Sequence, residues 1–233
     1  IVCVIGDVDA QKIIDQVRCQ TPAGKPARVE RCYGAPEPQE VRNRRIEKEM
    51  EISMPAFAIG FRCPDAGRGR DAMRMELIGE LAGEILIGES SELYQKLYDE
   101  NVIDADFSVD YERVKGMALL ELCGASEQPE RILQEVLQEA ACVLKTGVDR
   151  ALLDRLKKSV TGRRLRGLDG FEGTCYRMCA YYFDGAEYLD YPDIYAGVTA
   201  EDVEQFIREN VKEELAFVSV IRPKREKEEK SCC

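Results

Sequence analysis

The chain has 233 residues, 45% of them hydrophobic and 33% charged, with a net charge of −11. That size supports a substantial core in one large domain, and no apolar run approaches the roughly 20 residues a membrane span needs. The acidic balance argues against general nucleic-acid binding, which depends on neutralising phosphates. The absence of histidine excludes a Ser-His-Asp triad, a Cys-His dyad and every histidine-dependent zinc motif within this chain.

The sequence opens on IVCVI, a β-type run, and a start in mid-strand suggests a piece of a longer protein. GDVDAQKIIDQV reads as a turn into a helix, with Asp9 as N-cap and Ile13, Ile14 and Val17 as its apolar face. GDVD is too short for a calcium loop. Residues 20–45 hold Pro22, Pro26, Pro36 and Pro38 and read as an extended linker or surface loop, because proline fixes φ and lacks an amide donor. EISMPAFAIGFRC is a predicted strand, buried on both faces, with Pro55 at its start. DAMRMELIGELAGEIL is a predicted helix with the stripe Met73, Leu77, Leu81 and Ile85. Gly79 and Gly83, four apart, leave room for another element to approach, and Gly88 ends the helix.

In GESSELYQKLYDEN, Ser90 or Ser91 caps a new helix, and with no histidine to activate either serine a nucleophilic role is the weaker reading. Leu93, Tyr94, Leu97 and Tyr98 form a face packed on the sheet, Glu92 and Lys96 pair outside it, and Asn101 closes it. DADFSVDYERVKGMALLELCGA predicts an antiparallel hairpin turning near Glu112–Lys115. QPERILQEVLQEAACVLKTG is the clearest helix, with Pro129 in its first turn, a stripe of Ile132, Leu133, Val136, Leu137, Ala140 and Leu144, and a stop at Gly147. Another helix follows Asp149, FEGTCYRMCAYYFDG is a third, and Thr199 with Asp202 caps VTAEDVEQFIREN. LAFVSVI is the closing strand, and residues 224–233 read as a disordered charged tail. The expected fold is α+β, one domain over residues 1–223, with a mixed, mostly antiparallel sheet and helices packed on one face.

With no secretion signal, the ten cysteines read as reduced thiols in a cytoplasm. Cys3 lies in the first apolar run and Cys142 within an apolar helical pattern. Cys175 and Cys179 share a helix face, but two thiolates fall short of the about four ligands a structural zinc needs, so buried thiols are the simpler reading. The clusters Arg68, Arg70, Arg74 and Arg163, Arg164, Arg166 read as solvated or ion-paired, with a groove for an anionic or peptide ligand as the alternative. Tyr181, Tyr182, Tyr188, Tyr191 and Tyr195 read as packing residues, with a peptide groove as their alternative.

Five stretches, in order, carry a resemblance: IVCVIGDVDAQKII, SMPAFAIGFRCP, GESSELYQKLYDENVIDADFSVDY, KTGVDRALLDRLKKSVTGR and YFDGAEYLDYPDIYAGVTAEDVEQFI. Together they cover nearly the whole chain, which resembles the M16 metallopeptidases (insulinase-like or pitrilysin-like), in the bacterial processing-peptidase-like branch. The resemblance implies a clamshell of homologous α+β units. In it the N-terminal unit holds zinc through a His-x-x-Glu-His helix, while the C-terminal half closes the chamber and grips an extended peptide. It places this chain in the zinc-free half, with no catalytic or metal-ligating residue and no cofactor of its own. Zinc is expected only in an upstream or partner half. The implied partners are an N-terminal half-domain or homologous active subunit and a peptide substrate, with neither nucleic acid nor membrane. The auxiliary Arg and Tyr of active members find no matching pair in GMALLELCGASEQPERI, where Arg131 stands without a tyrosine. The candidate substrate-contact residues are Arg113, Arg131, Tyr181 and Tyr182. The alternative is a structural or binding subunit of an inactive homologue; an unrelated α+β binding module is a third reading.

Overall fold

A computed structural model describes residues 1–21, 24, 40–114 and 116–224. Its five strands are β1 Arg45–Met50, β2 Ala56–Cys63, β3 Ser108–Val114, β4 Met117–Ala125 and β5 Ala216–Pro223. They lie in the order β1-β5-β2-β4-β3, with β1 parallel to β5 and the other pairs antiparallel. The helices are α1 Ala10–Gln20, α2 Gly69–Ile87, α3 Glu92–Asp99, α4 Pro129–Thr146, α5 Arg150–Gly167, α6 Phe171–Asp184, α7 Tyr191–Ala196 and α8 Ala200–Asn210. Alternation along the strands turns Phe57, Ile59, Phe61, Leu120, Leu122 and Val218 to one buried face, where the helices pack. The expected mixed, mostly antiparallel sheet covered on one face is the fold found.

Local chemistry explains the helix starts. Asp9 accepts from the Gln11 and Lys12 amides, Ser91 from the Tyr94 amide at 3.1 Å, and Asp149 from the Ala151 amide at 2.8 Å. Thr199 and Asp202 make a reciprocal capping box at α8. α3 ends at Glu100, and Asn101 follows in the left-handed region at φ 55°, which its short polar side chain tolerates.

α2 occupies the centre, against β3, α5, α7 and α8, with Leu77 and Leu81 fully buried. Its two glycines permit a close approach of β3. A Cβ on Gly79 would lie 2.5 Å from the Tyr111 ring, and one on Gly83 would lie 2.7 Å from Val109 Cγ2. The strand β3 therefore sits on the helix through a groove two glycines wide.

Several expectations need correction. IVCVI is not a strand: residues 1–5 pair with nothing in the sheet, and Ile1, Val2 and Val4 are exposed. β-branched residues favour a pleated, half-buried surface, and among the described residues no neighbouring strand offers one here. The strand expected from Glu51 begins at Ala56, and β1 precedes it as RIEKEM, exposed at all six positions. Such a charged edge carries no apolar alternation to announce it. The rest of the expected linker and the tail, residues 22, 23, 25–39 and 225–233, lies outside the described residues. Tyr98 is exposed rather than packed, Lys96 pairs with Glu135 of α4 at 2.8 Å rather than with Glu92, and α3 lies against α2 and α4 rather than on the sheet. Cys142 is exposed on α4. Among the described residues no helix is long and apolar enough to cross a membrane.

Candidate functional site

Three carboxylates four residues apart, Glu76, Glu80 and Glu84, form a stripe along α2. α5 lays Arg163 and Arg164 against it: Arg164 reaches Glu80 at 2.9 Å and Glu76 at 3.6 Å, and Arg163 reaches Glu84 at 3.1 Å. From the other side β3 brings Arg113, which bonds Asp184 of α6 at 2.9 Å and lies 3.5 Å from Glu76. The Tyr181 hydroxyl, also on α6, donates to Glu76. These four elements enclose a cleft of about 550 Å³, with Tyr176 and Arg177 along its α6 wall.

Burial opposes the charges on Arg164 and Arg113, but Glu80 beside Arg164 and Asp184 beside Arg113 outweigh it and hold both guanidinium pKa values above their usual range. Tyr181 is raised as well, first by burial and then by the Glu76 carboxylate it faces, so it remains a neutral donor. The network is half-buried, and removing one member would strand the charge of another. Chemically the cleft offers hydrogen bonding and charge recognition by arginine and tyrosine.

The structure thus brings two of the four candidate residues, Arg113 and Tyr181, into one cleft. Arg131 does not line it; it sits on α4, bonded to Glu100 and 3.6 Å from Glu135. Tyr182 also stands outside it, 62% exposed on α6 with its ring 6.0 Å from that of Phe183. Glu76, Glu80 and Arg177 were not among the candidates, although the i, i+4 acidic stripe on α2 is visible in the sequence. The first basic cluster is also ion-paired, but at long range: Arg70 with Asp190, and Arg74 with Asp202 at 2.6 Å. Tyr188, Tyr191 and Tyr195 are buried, as packing residues should be.

The side chains of the described residues do not fit a zinc ion. The chain has no histidine, and among the described residues no group of three or more potential ligands is arranged to hold a metal. Cys175 and Cys179 are half-buried on α6, where Cys175 Sγ lies 3.9 Å from the Cys3 carbonyl. The Cys175 thiol is the main cause that pushes the Cys3 pKa up to about 11, with burial second.

Comparison with known proteins agrees with this architecture. The family model described as the peptidase M16 inactive domain matches residues 1–160. The uncharacterized zinc protease YmfH of Bacillus subtilis (strain 168) is 25% identical over 228 residues, covering 95% of this chain and 52% of its own length. A crystal structure described as an M16-like peptidase, from Alicyclobacillus acidocaldarius, superposes with a TM-score of 0.84 at 22% identity, over 93% of this chain and 52% of its own. A protease from Helicobacter pylori superposes with a TM-score of 0.74 at 15% identity, over 94% of this chain and 54% of its own. This chain therefore spans about half the length of these relatives, and it belongs to the M16 peptidase family, as its inactive domain.

Proposed function

We propose that this chain is the non-catalytic C-terminal half of an M16-type zinc peptidase. It forms part of the chamber wall and contacts an extended peptide, while an upstream or partner half supplies the zinc. One observation carries the reading: the chain matches about half of a zinc-protease relative along nearly all its length, yet contains no histidine. The partner in this reading is an N-terminal half-domain or a homologous active subunit, and the setting is cytoplasmic. The α2–β3–α5–α6 cleft is the proposed peptide contact, because it places Arg113 and Tyr181 together at an open surface.

The test is hydrolysis of a quenched fluorescent peptide. The purified chain is expected to be inactive with or without added zinc. Activity is expected to follow addition of a half that carries the His-x-x-Glu-His helix, and to exceed that half's own. Metal-dependent hydrolysis by this chain alone would overturn the non-catalytic assignment. No gain on mixing, despite assembly of the two halves, would favour the structural-subunit alternative.

A further inference from the structure

Each arginine around the cleft but one has a carboxylate. Arg113 has Asp184 and Glu76, Arg163 has Glu84, and Arg164 has Glu80 and Glu76. Arg177, half-buried on α6, has none among the described residues. Its Nη2 donates to the Gly167 carbonyl at 3.0 Å, and its guanidinium carbon lies 5.5 Å from the centre of the Tyr188 ring. That stacking holds one face of the plane and leaves Nη1 without a hydrogen-bond partner among the described residues. The bare backbone at Gly167 gives the guanidinium room, since a Cβ there would stand 3.2 Å from Nη2.

The same cleft also holds polar atoms without partners. Arg177 Nε is enclosed with no acceptor. So is the hydroxyl of Tyr111, a residue only 8% exposed that lines the cleft from β3. Buried polar groups in native structures are nearly always satisfied, and these two around one cleft are consistent with a ligand that supplies acceptors. Glu112 does not fill that role. It lines the cleft, but it makes no ion pair with Arg177, and burial, then Asp110, Glu121 and Glu76, raise its pKa and disfavour its charge.

Resting on the proposal that this half contacts peptide, we infer that Arg177 makes the cleft a seat for one peptide carboxylate. That carboxylate is either an acidic side chain or a chain's terminal group. A guanidinium with an uncommitted Nη1 can donate a charge-assisted hydrogen bond to a carboxylate. A single negative charge suits the site better than a dianion, whose second charge would face Glu76, Glu80 and Asp184 across the cleft. The chain's net charge of −11 opposes anions at long range, so recognition here is a short-range effect of one residue.

Fluorescence anisotropy with three labelled peptides of one otherwise neutral sequence tests this. One carries an internal acidic residue and an amidated end, one a free terminal carboxylate, and one neither. At least one carboxylate peptide should bind about five- to tenfold more tightly than the neutral one, the size of one charge-assisted pair. Whichever it is names the source. Arg177→Gln should erase that difference, and Arg177→Lys should retain part of it. Equal binding of all three peptides overturns the carboxylate seat and leaves the peptide reading intact. If no peptide binds, the peptide reading falls, and sodium acetate against sodium chloride at equal ionic strength decides the seat alone. A shift of the Arg177 Nε–H resonance confined to acetate supports it, and no shift sinks it. The last measurement uses the unsubstituted chain, so it holds even where a variant fails to fold.

Discussion

At the start of α8 the Asp202 carboxylate accepts from the Thr199 amide at 2.8 Å and from Arg74 Nη2 at 2.6 Å. Burial disfavours its charge, but the Thr199 and Arg74 bonds outweigh burial and hold its pKa below the usual carboxylate value. Glu135 is lowered too, chiefly by its bond from Lys96, against opposing burial. A carboxylate depressed on folding adds stability that is present above its unfolded pKa of about 4 and is lost as pH falls through the folded value. Urea unfolding should therefore show stability falling as pH drops below about 4. Asp202→Asn should cost about 0.5–2 kcal/mol at pH 7, as loss of a helix cap does, and should flatten that acid decline. An unchanged acid slope in the variant would show that Asp202 is not one of the groups responsible.

At the scale of elements, the contact between α2 and β3 rests on two missing side chains. In an exposed helix Gly→Ala gains about 1 kcal/mol of helix propensity. At Gly79 the added methyl meets the Tyr111 ring at 2.5 Å, inside any normal contact. Overpacking of this kind costs about 1–3 kcal/mol, so Gly79→Ala should lower stability in urea unfolding despite its better propensity. A more stable variant would mean that β3 yields easily. The pair Gly79 and Gly83 was legible in the sequence because its spacing is a property of one helix. β1 was not, since RIEKEM is held by its parallel pairing with β5 and by Arg222 bonding Glu47, both some 170 residues distant in sequence. The cleft was half legible for the same reason. The acidic stripe of α2 and the basic pair on α5 are each visible locally, but their meeting is tertiary, across the 84 residues from Glu80 to Arg164. Arg113 was singled out on β3, while the lack of a carboxylate on Arg177 depends on how α2, α5 and β3 place their charges around α6.

For the whole molecule the unexplained feature is α1. Its sequence is amphipathic and well capped, yet none of its residues is buried. With the opening segment it forms a groove of about 590 Å³ lined by Ile1, Val4, Ile13, Ile14 and Val17. An apolar helix face of this kind is stabilising only when something covers it. The relatives matched here are about twice as long as this chain, so the occupant consistent with the proposed function is the homologous N-terminal half. Replacing Ile13 and Val17 by Glu separates this from a structural role. Neither side chain is in the core, so the chain's own stability should change by no more than about 0.5 kcal/mol per site. Association with a separately produced N-terminal half, followed by calorimetry or light scattering, should weaken by at least about tenfold, equivalent to about 1.4 kcal/mol. If the halves assemble equally well with the substituted chain, α1 lies outside the interface and another surface must join them. If the variant instead unfolds at lower urea, α1 belongs to this half's own core in solution.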